Sequence, residues 1–176
     1  MSHKAVFFDR DDTLIVDKVY LNDPALIEYL PGTFEGLKLL MAAGFKLFIV
    51  SNQSGIARGL VQEENLHAIH RKMQEDFEAE GIHFSAYYYC PYLPNSNHPD
   101  RKPNPGMLMR AKKDHNISLE DSWMIGDRLT DIGAGVNAGT RTILLKIPNT
   151  RHSDEGPNPD YEVNDLLEAA KIIVGK

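Results

Sequence analysis

Cysteine is nearly missing from this sequence: Cys90 stands alone among 176 residues, which excludes an intrachain disulfide framework and agrees with a reducing compartment. Positive charge is also scarce. Nineteen Lys and Arg against 25 Asp and Glu leave a net charge of −6. Broad binding to nucleic acid or to an anionic membrane needs a basic surplus on one face, so both are excluded as expectations. No apolar run approaches the length of a membrane span, and Met1-Ser2-His3-Lys4 passes straight into an apolar run without a leader pattern, so the expected location is the cytoplasm. Internal repeats and long polar tracts are absent too. With 42% hydrophobic residues the chain can bury a sizeable core, and residues 1–176 are read as one domain. Nothing in the composition sets an oligomeric state.

What is present is an alternation of two periodicities. Short β-rich runs at 5–8, 46–50, 122–125 and 141–145 alternate with amphipathic helical patterns, the signal for βαβ units. The fold class expected is α/β: a three-layer sandwich around a mainly parallel, Rossmann-like sheet. Phe84 to Tyr89 is a further strand candidate and Tyr161-Glu162-Val163 an edge strand. Helices are expected from Thr33, with its hydroxyl as N-cap, to Ala43; from Glu63 to Glu80; from Pro105, with Asn104 as N-cap, to His115; and from near Asn164 onward. Two irregular stretches interrupt this order. Pro91 to Pro105 holds five prolines and contains Arg101 and Lys102, which favours a functional role, whereas Ile147 to Pro159 is left unassigned.

The residues that carry chemistry sit where apolar runs end. Ala5-Val6-Phe7-Phe8 stops at Asp9-Arg10-Asp11-Asp12, placing two carboxylates, i and i+2, at the carboxyl edge of a sheet, where open α/β folds keep their ligands. Two carboxylates in one small space repel each other unless a cation lies between them, which asks for a hard divalent ion with oxygen ligands, Mg²⁺ above all. Lys46 to Val50 closes on Ser51-Asn52-Gln53. Asp100-Arg101-Lys102-Pro103 puts two cations ahead of a helix, and Ser122 to Gly126 closes on Asp127, with Asp131 four residues later.

In this order the four segments resemble the signature motifs of the haloacid dehalogenase-like superfamily of phosphohydrolases, from Ala5 to about Ala138. The resemblance implies a phosphatase with no large cap domain. It makes Asp9 a nucleophile that forms an aspartyl-phosphate and Asp11 the acid and then the base. It makes Asp9, the backbone carbonyl of Asp11, and Asp127 the Mg²⁺ ligands. Ser51 and the amides near Asn52 would meet the phosphoryl oxygens, and Lys102 would neutralise their charge. Asp131 reads either as a group orienting Lys102 or the metal shell, or as an acid favoured at a helix N-terminus. Asp12 departs from the family pattern, which has glycine there; aspartate is among the few residues that tolerate a positive φ.

Ser51 to Gly59, Tyr89-Cys90-Pro91 and Arg101 to Met107 narrow the resemblance to a branch that holds heptose-bisphosphate and histidinol-phosphate phosphatases. It implies that Asp17, Lys18, Val19, Tyr20, Gln53, Ser54, Arg58 and Arg101 contact the rest of a small phosphate ester, with Arg101 selecting for a second anion. The expected substrate is D-glycero-D-manno-heptose 1,7-bisphosphate, losing its 7-phosphate; histidinol phosphate is the alternative. That branch carries a zinc site built on Cys-x-His and Cys-x-Cys. This chain has Tyr92 and His98-Pro99-Asp100 at those places, so zinc is not expected even though Cys90, His98 and Asp100 remain. Two other classes fit less well. A nucleic-acid 3′-phosphatase needs a basic stripe, and a phospho-accepting receiver module takes phosphate at the end of its third strand, after an acidic pair on the first.

Overall fold

The computed structural model of the chain describes residues 1–148 and 155–176, so part of the unassigned stretch at 147–159 lies outside the described residues. Six strands, β1 (Ala5–Phe8), β2 (Lys46–Asn52), β3 (Phe84–Cys90), β4 (Trp123–Gly126), β5 (Arg141–Leu145) and β6 (Tyr161–Val163), form one sheet in the order β3-β2-β1-β4-β5-β6. Every pairing is parallel, and β1 lies between β2 and β4, with Phe7 opposite Phe48 on one side and Met124 on the other.

Two apolar clusters flank the sheet because side chains alternate along each strand. Val6 and Phe8 of β1 and Leu47 and Ile49 of β2 point toward α1 (Thr33–Ala42), α2 (Glu63–Ala79) and α5 (Leu166–Val174). Ala5, Phe7, Phe48 and Val50 point the other way, toward α3 (Gly106–His115) and α4 (Leu129–Ala138). This is the expected three-layer arrangement. Both faces are covered, which is why the strands read as continuous apolar runs. Among the described residues, no helix is long and apolar enough to cross a membrane.

Two helix starts differ from expectation. Gly32, at φ +79°, caps α1, while the Thr33 hydroxyl donates to Leu14 O at 3.2 Å; it pins the preceding loop instead of capping its own helix. Pro105 is the N-cap of α3, which begins at Gly106, and the Asn104 amide donates to His98 O at 2.9 Å and to Asn97. In both cases a loop contact across the fold outcompetes the local cap.

Candidate active site

The chain runs outward from β1 through β2 to β3, then crosses back to β4 on the other side of β1. The reversal point lies at the carboxyl ends of β1 and β4, and open α/β sheets leave a crevice there. Asp9 follows β1 and is fixed by its amide, which donates to Ile125 O at 3.0 Å. Asp127 follows β4. Asp131 comes from the first turn of α4, and its Oδ2 accepts from the Arg128 amide at 3.0 Å, so it caps the helix. A Cβ on Gly126 would lie 2.2 Å from Asp131 Oδ2, which leaves glycine as the residue this close approach accepts.

Lys102 joins the carboxylates. Its Nζ lies 2.8 Å from Asp9 Oδ1 and 2.6 Å from Asp131 Oδ1, and donates to Val50 O at 2.7 Å. Asn52 holds the lysine in place: its Oδ1 accepts from Lys102 N at 3.0 Å and its Nδ2 donates to Lys102 O at 3.1 Å. Asp131 therefore fills both roles left open by the sequence, orienting Lys102 and capping α4.

Carboxylate oxygens of Asp9, Asp127 and Asp131 all lie within 4.8 Å of one another, the one such group of potential metal ligands among the described residues. Burial opposes the Lys102 ammonium, but Asp131 and Asp9 outweigh it and its pKa is raised. The Lys102 ammonium, with a smaller contribution from Arg128, does not balance three carboxylates at Asp127. Burial, then the charges of Asp9 and Asp131, push Asp127 up to about 10, and its carboxyl hydrogen-bonds that of Asp9. Asp131 is pushed up to about 6, by burial first and by Asp9 second. The arrangement lacks positive charge, and a hard cation with oxygen ligands fits that deficit.

Asp11 is held from behind. Arg10, only 1% exposed, donates through Nε to Asp11 Oδ2 and through Nη2 to Asp11 Oδ1, each at 3.2 Å. Gln53 Nε2 bridges Asp11 Oδ2 at 2.9 Å and Ser51 Oγ at 2.6 Å. Ser51 is fully buried beneath this bridge and does not line the cleft.

A cleft of about 550 Å³ opens over these groups. Asp9, Asp11, Asn52, Gln53, Ser54, Arg101, Lys102 and Asp127 line it, as do Asp17, Val19 and Tyr20. The 12–20 loop is folded by the residue that departs from the family pattern. Asp12 takes φ +58°, and its Oδ1 accepts from the Asp17 amide at 2.9 Å, so its carboxylate is tied into the loop. Burial, with Asp11 and Asp12 nearby, raises the pKa of Asp17. Val19 and Tyr20 also have positive φ, and Tyr20 lies so close to Gly55 that a Cβ there would meet its ring at 2.6 Å.

Lys18 and Arg58 are not brought into the lining. Lys18 pairs with Glu28 at 2.7 Å, and Arg58 is exposed. Arg58 still acts at a distance: burial first, and then the charges of Arg58 and Arg128, lower the pKa of Arg101. Arg101 and Arg128 line the cleft, and Arg58 adds positive charge from outside it. Cys90, His98 and Asp100 are engaged by other groups, and the Asp100 amide donates to His98 Nδ1 at 3.1 Å. Cys90 packs in the core on the α3 side, the His98 ring stacks on Tyr92 at 4.3 Å, and Asp100 pairs with Arg110 at 3.2 Å.

Sequence reasoning missed Arg10, His70 and Arg128 as members of the site, and Thr13, whose hydroxyl lies 3.4 Å from Asp127 Oδ1. An arginine between two aspartates at a strand end, and a histidine on the apolar stripe of α2, were the available signals.

A family model described as HAD-hydrolase-like matches residues 100–169. The D-glycero-beta-D-manno-heptose-1,7-bisphosphate 7-phosphatase of Helicobacter pylori is 38% identical over 98% of both chains. The D-glycero-alpha-D-manno-heptose-1,7-bisphosphate 7-phosphatase of Campylobacter jejuni is 36% identical over 88% of both. Among solved structures, the D,D-heptose 1,7-bisphosphate phosphatase of B. bronchiseptica, complexed with magnesium and phosphate, superposes with a TM-score of 0.87 at 28% identity, covering 98% of each chain.

Proposed function

The chain belongs to the haloacid dehalogenase-like phosphatases, and from that premise we propose that it is a Mg²⁺-dependent enzyme removing the 7-phosphate of D-glycero-D-manno-heptose 1,7-bisphosphate through an aspartyl-phosphate on Asp9. The observation carrying this reading is the buried set of Asp9, Asp127 and Asp131 gathered around Lys102, whose crowding and burial raise the pKa of Asp127. Both Asp131 oxygens are engaged, by Lys102 and by the Arg128 amide. Asp9 and Asp127, with the Asp11 carbonyl, would hold the cation, which supplies charge neutralisation for the phosphoryl group.

In the first half-reaction an Asp9 carboxylate oxygen attacks phosphorus. The bond from phosphorus to the C7 oxygen breaks, and Asp11 gives its proton to that oxygen. In the second, water attacks the same phosphorus, Asp11 takes the proton, and the bond to Asp9 breaks to release orthophosphate. Lys102 offsets the negative charge beside Asp9, and Gln53 ties Asp11, at the edge of the reacting group, to the Ser51 hydroxyl buried behind it.

The substrate choice rests on Arg101 and on the relatives' names. Arg58 and Arg128 disfavour the charge of Arg101, and a second phosphate relieves that repulsion. Histidinol phosphate would bring a cationic amine toward the same side. The relatives named above act on both anomers, so the proposal concerns the C7 ester alone. We take residues 1–176 as one cytoplasmic catalytic domain. A phosphate-release screen with Mg²⁺ against both anomers of the heptose bisphosphate, sugar monophosphates, histidinol phosphate and a 3′-phosphorylated oligonucleotide tests the reading. The heptose bisphosphates should give the highest kcat/KM, and a preference for histidinol phosphate would overturn the substrate choice.

A further inference from the structure

Behind Asp11 runs a buried polar chain that the mechanism above leaves unused. Arg10 forks onto both Asp11 oxygens, and its Nη2 also reaches Gln53 Oε1 at 3.3 Å. Its remaining arm, Nη1, lies 3.3 Å from His70 Nε2. Arginine offers donors only, so His70 Nε2 must accept, and the imidazole is neutral with its proton on Nδ1. Burial, and then the Arg10 charge, push the His70 pKa down to about 3, in keeping with that role.

His70 occupies an apolar-stripe position of α2 with Leu66, Ile69, Met73 and Phe77. Its ring lies against Tyr87 at 5.3 Å and Tyr89 at 6.2 Å. Leucine or phenylalanine would satisfy that packing without the cost of burying two ring nitrogens. The contact with Arg10, across 60 positions of sequence, is the one that requires an imidazole. Without it, a guanidinium bound to Asp11 and Gln53 could swing with the Asp11 side chain. Anchored to α2, it holds one face of Asp11 while the side chain keeps 23% of its surface open to the cleft.

We infer that His70 is a positioning residue for the phosphatase reaction, fixing the Arg10 guanidinium so that Asp11 is held in the orientation from which it protonates the leaving oxygen. The inference rests on the acid role proposed above for Asp11. It separates His70 from a purely structural residue, because loss of aim at a proton donor slows esters with poor leaving groups and spares those that need no proton.

The test compares His70→Phe, which keeps ring packing without an acceptor, with His70→Asn, too short to reach Nη1, and His70→Gln, which restores an acceptor near the position of Nε2. Having two loss variants keeps the test independent of either one folding. First-turnover phosphoryl transfer, with Mg²⁺, is followed on the alkyl phosphate preferred in the substrate screen and on 4-nitrophenyl phosphate. His70→Phe and His70→Asn should slow transfer from the alkyl phosphate by roughly 10- to 100-fold with KM nearly unchanged, slow the nitrophenolate burst less than about threefold, and His70→Gln should recover most of the loss. Equal slowing of both esters, or no slowing of either, overturns the inference. Asp11→Asn measured alongside distinguishes the two layers. If it also fails to separate the esters, the acid role of Asp11 falls and the inference falls with it; if it separates them and the His70 variants do not, the role of His70 alone is refuted.

Discussion

Replacing Asp127 by asparagine should make the metal-free protein more stable while abolishing its activity. Asp127 ionises with a pKa near 3.8 when exposed but is held near 10 in the fold, by burial first and then by Asp9 and Asp131. A group whose folded pKa is raised favours the folded state below its unfolded pKa, and that contribution is lost as pH rises toward the folded pKa. Each pH unit across this window is worth about 1.4 kcal/mol. The nearly four units between 3.8 and pH 7.5 set a ceiling of about 5 kcal/mol, and because the charges of Asp9 and Asp131 share in that repulsion the part belonging to this one carboxyl is on the order of 2 to 4 kcal/mol. Asparagine carries no charge, still accepts from the Thr13 hydroxyl, and can donate to Asp9 through its amide. In EDTA at pH 7.5 the variant should melt roughly 5 to 10 °C above wild type, given about 2 to 4 °C per kcal/mol for a chain of this size. Mg²⁺ should raise the Tm of wild type, more at pH 8 than at pH 5.5, and leave the variant nearly unmoved. Differential scanning calorimetry across that pH range is the assay. A variant less stable than wild type in EDTA, or one that keeps the full Mg²⁺ shift, would refute the account of the site as short of positive charge.

Asp9→Asn should retain the fold and lose several orders of magnitude in kcat, because an amide cannot attack phosphorus; steady-state phosphate release checks it, and more than about a tenth of wild-type turnover would remove Asp9 as nucleophile. Arg101→Ala should lower kcat/KM for the heptose bisphosphate by about 1.5 to 3 kcal/mol, the range for a charge-assisted hydrogen bond, and that for a small monophosphate by less; equal losses would place Arg101 away from the second anion. His70 is depressed to about 3 from 6.5, so the stability of its neutral form is present above pH 6.5 and is lost as pH falls toward 3. Urea titrations should show wild type losing about 2 kcal/mol more than His70→Gln between pH 7 and pH 5, and parallel losses would mean that His70 titrates normally.

By itself the sequence determined the layering and the chemistry at the strand ends. β1, β2, β4 and β5 read as buried parallel strands because both faces of the sheet are covered, leaving continuous apolar runs that stop abruptly at Asp9, Ser51-Asn52 and Asp127. The positive φ of Asp12 was legible for the same local reason, since aspartate tolerates a conformation otherwise left to glycine. Contacts between distant segments were not legible. Asn52 bracketing Lys102, Arg10 anchored by His70, Thr33 donating to Leu14 and Lys18 turned toward Glu28 are each set by which side chains the fold brings together. Only the tertiary structure decided how the charges balance. Burial removes the water that would otherwise screen Asp9, Asp127 and Asp131 from one another, and a pattern of residues along a chain carries no measure of burial.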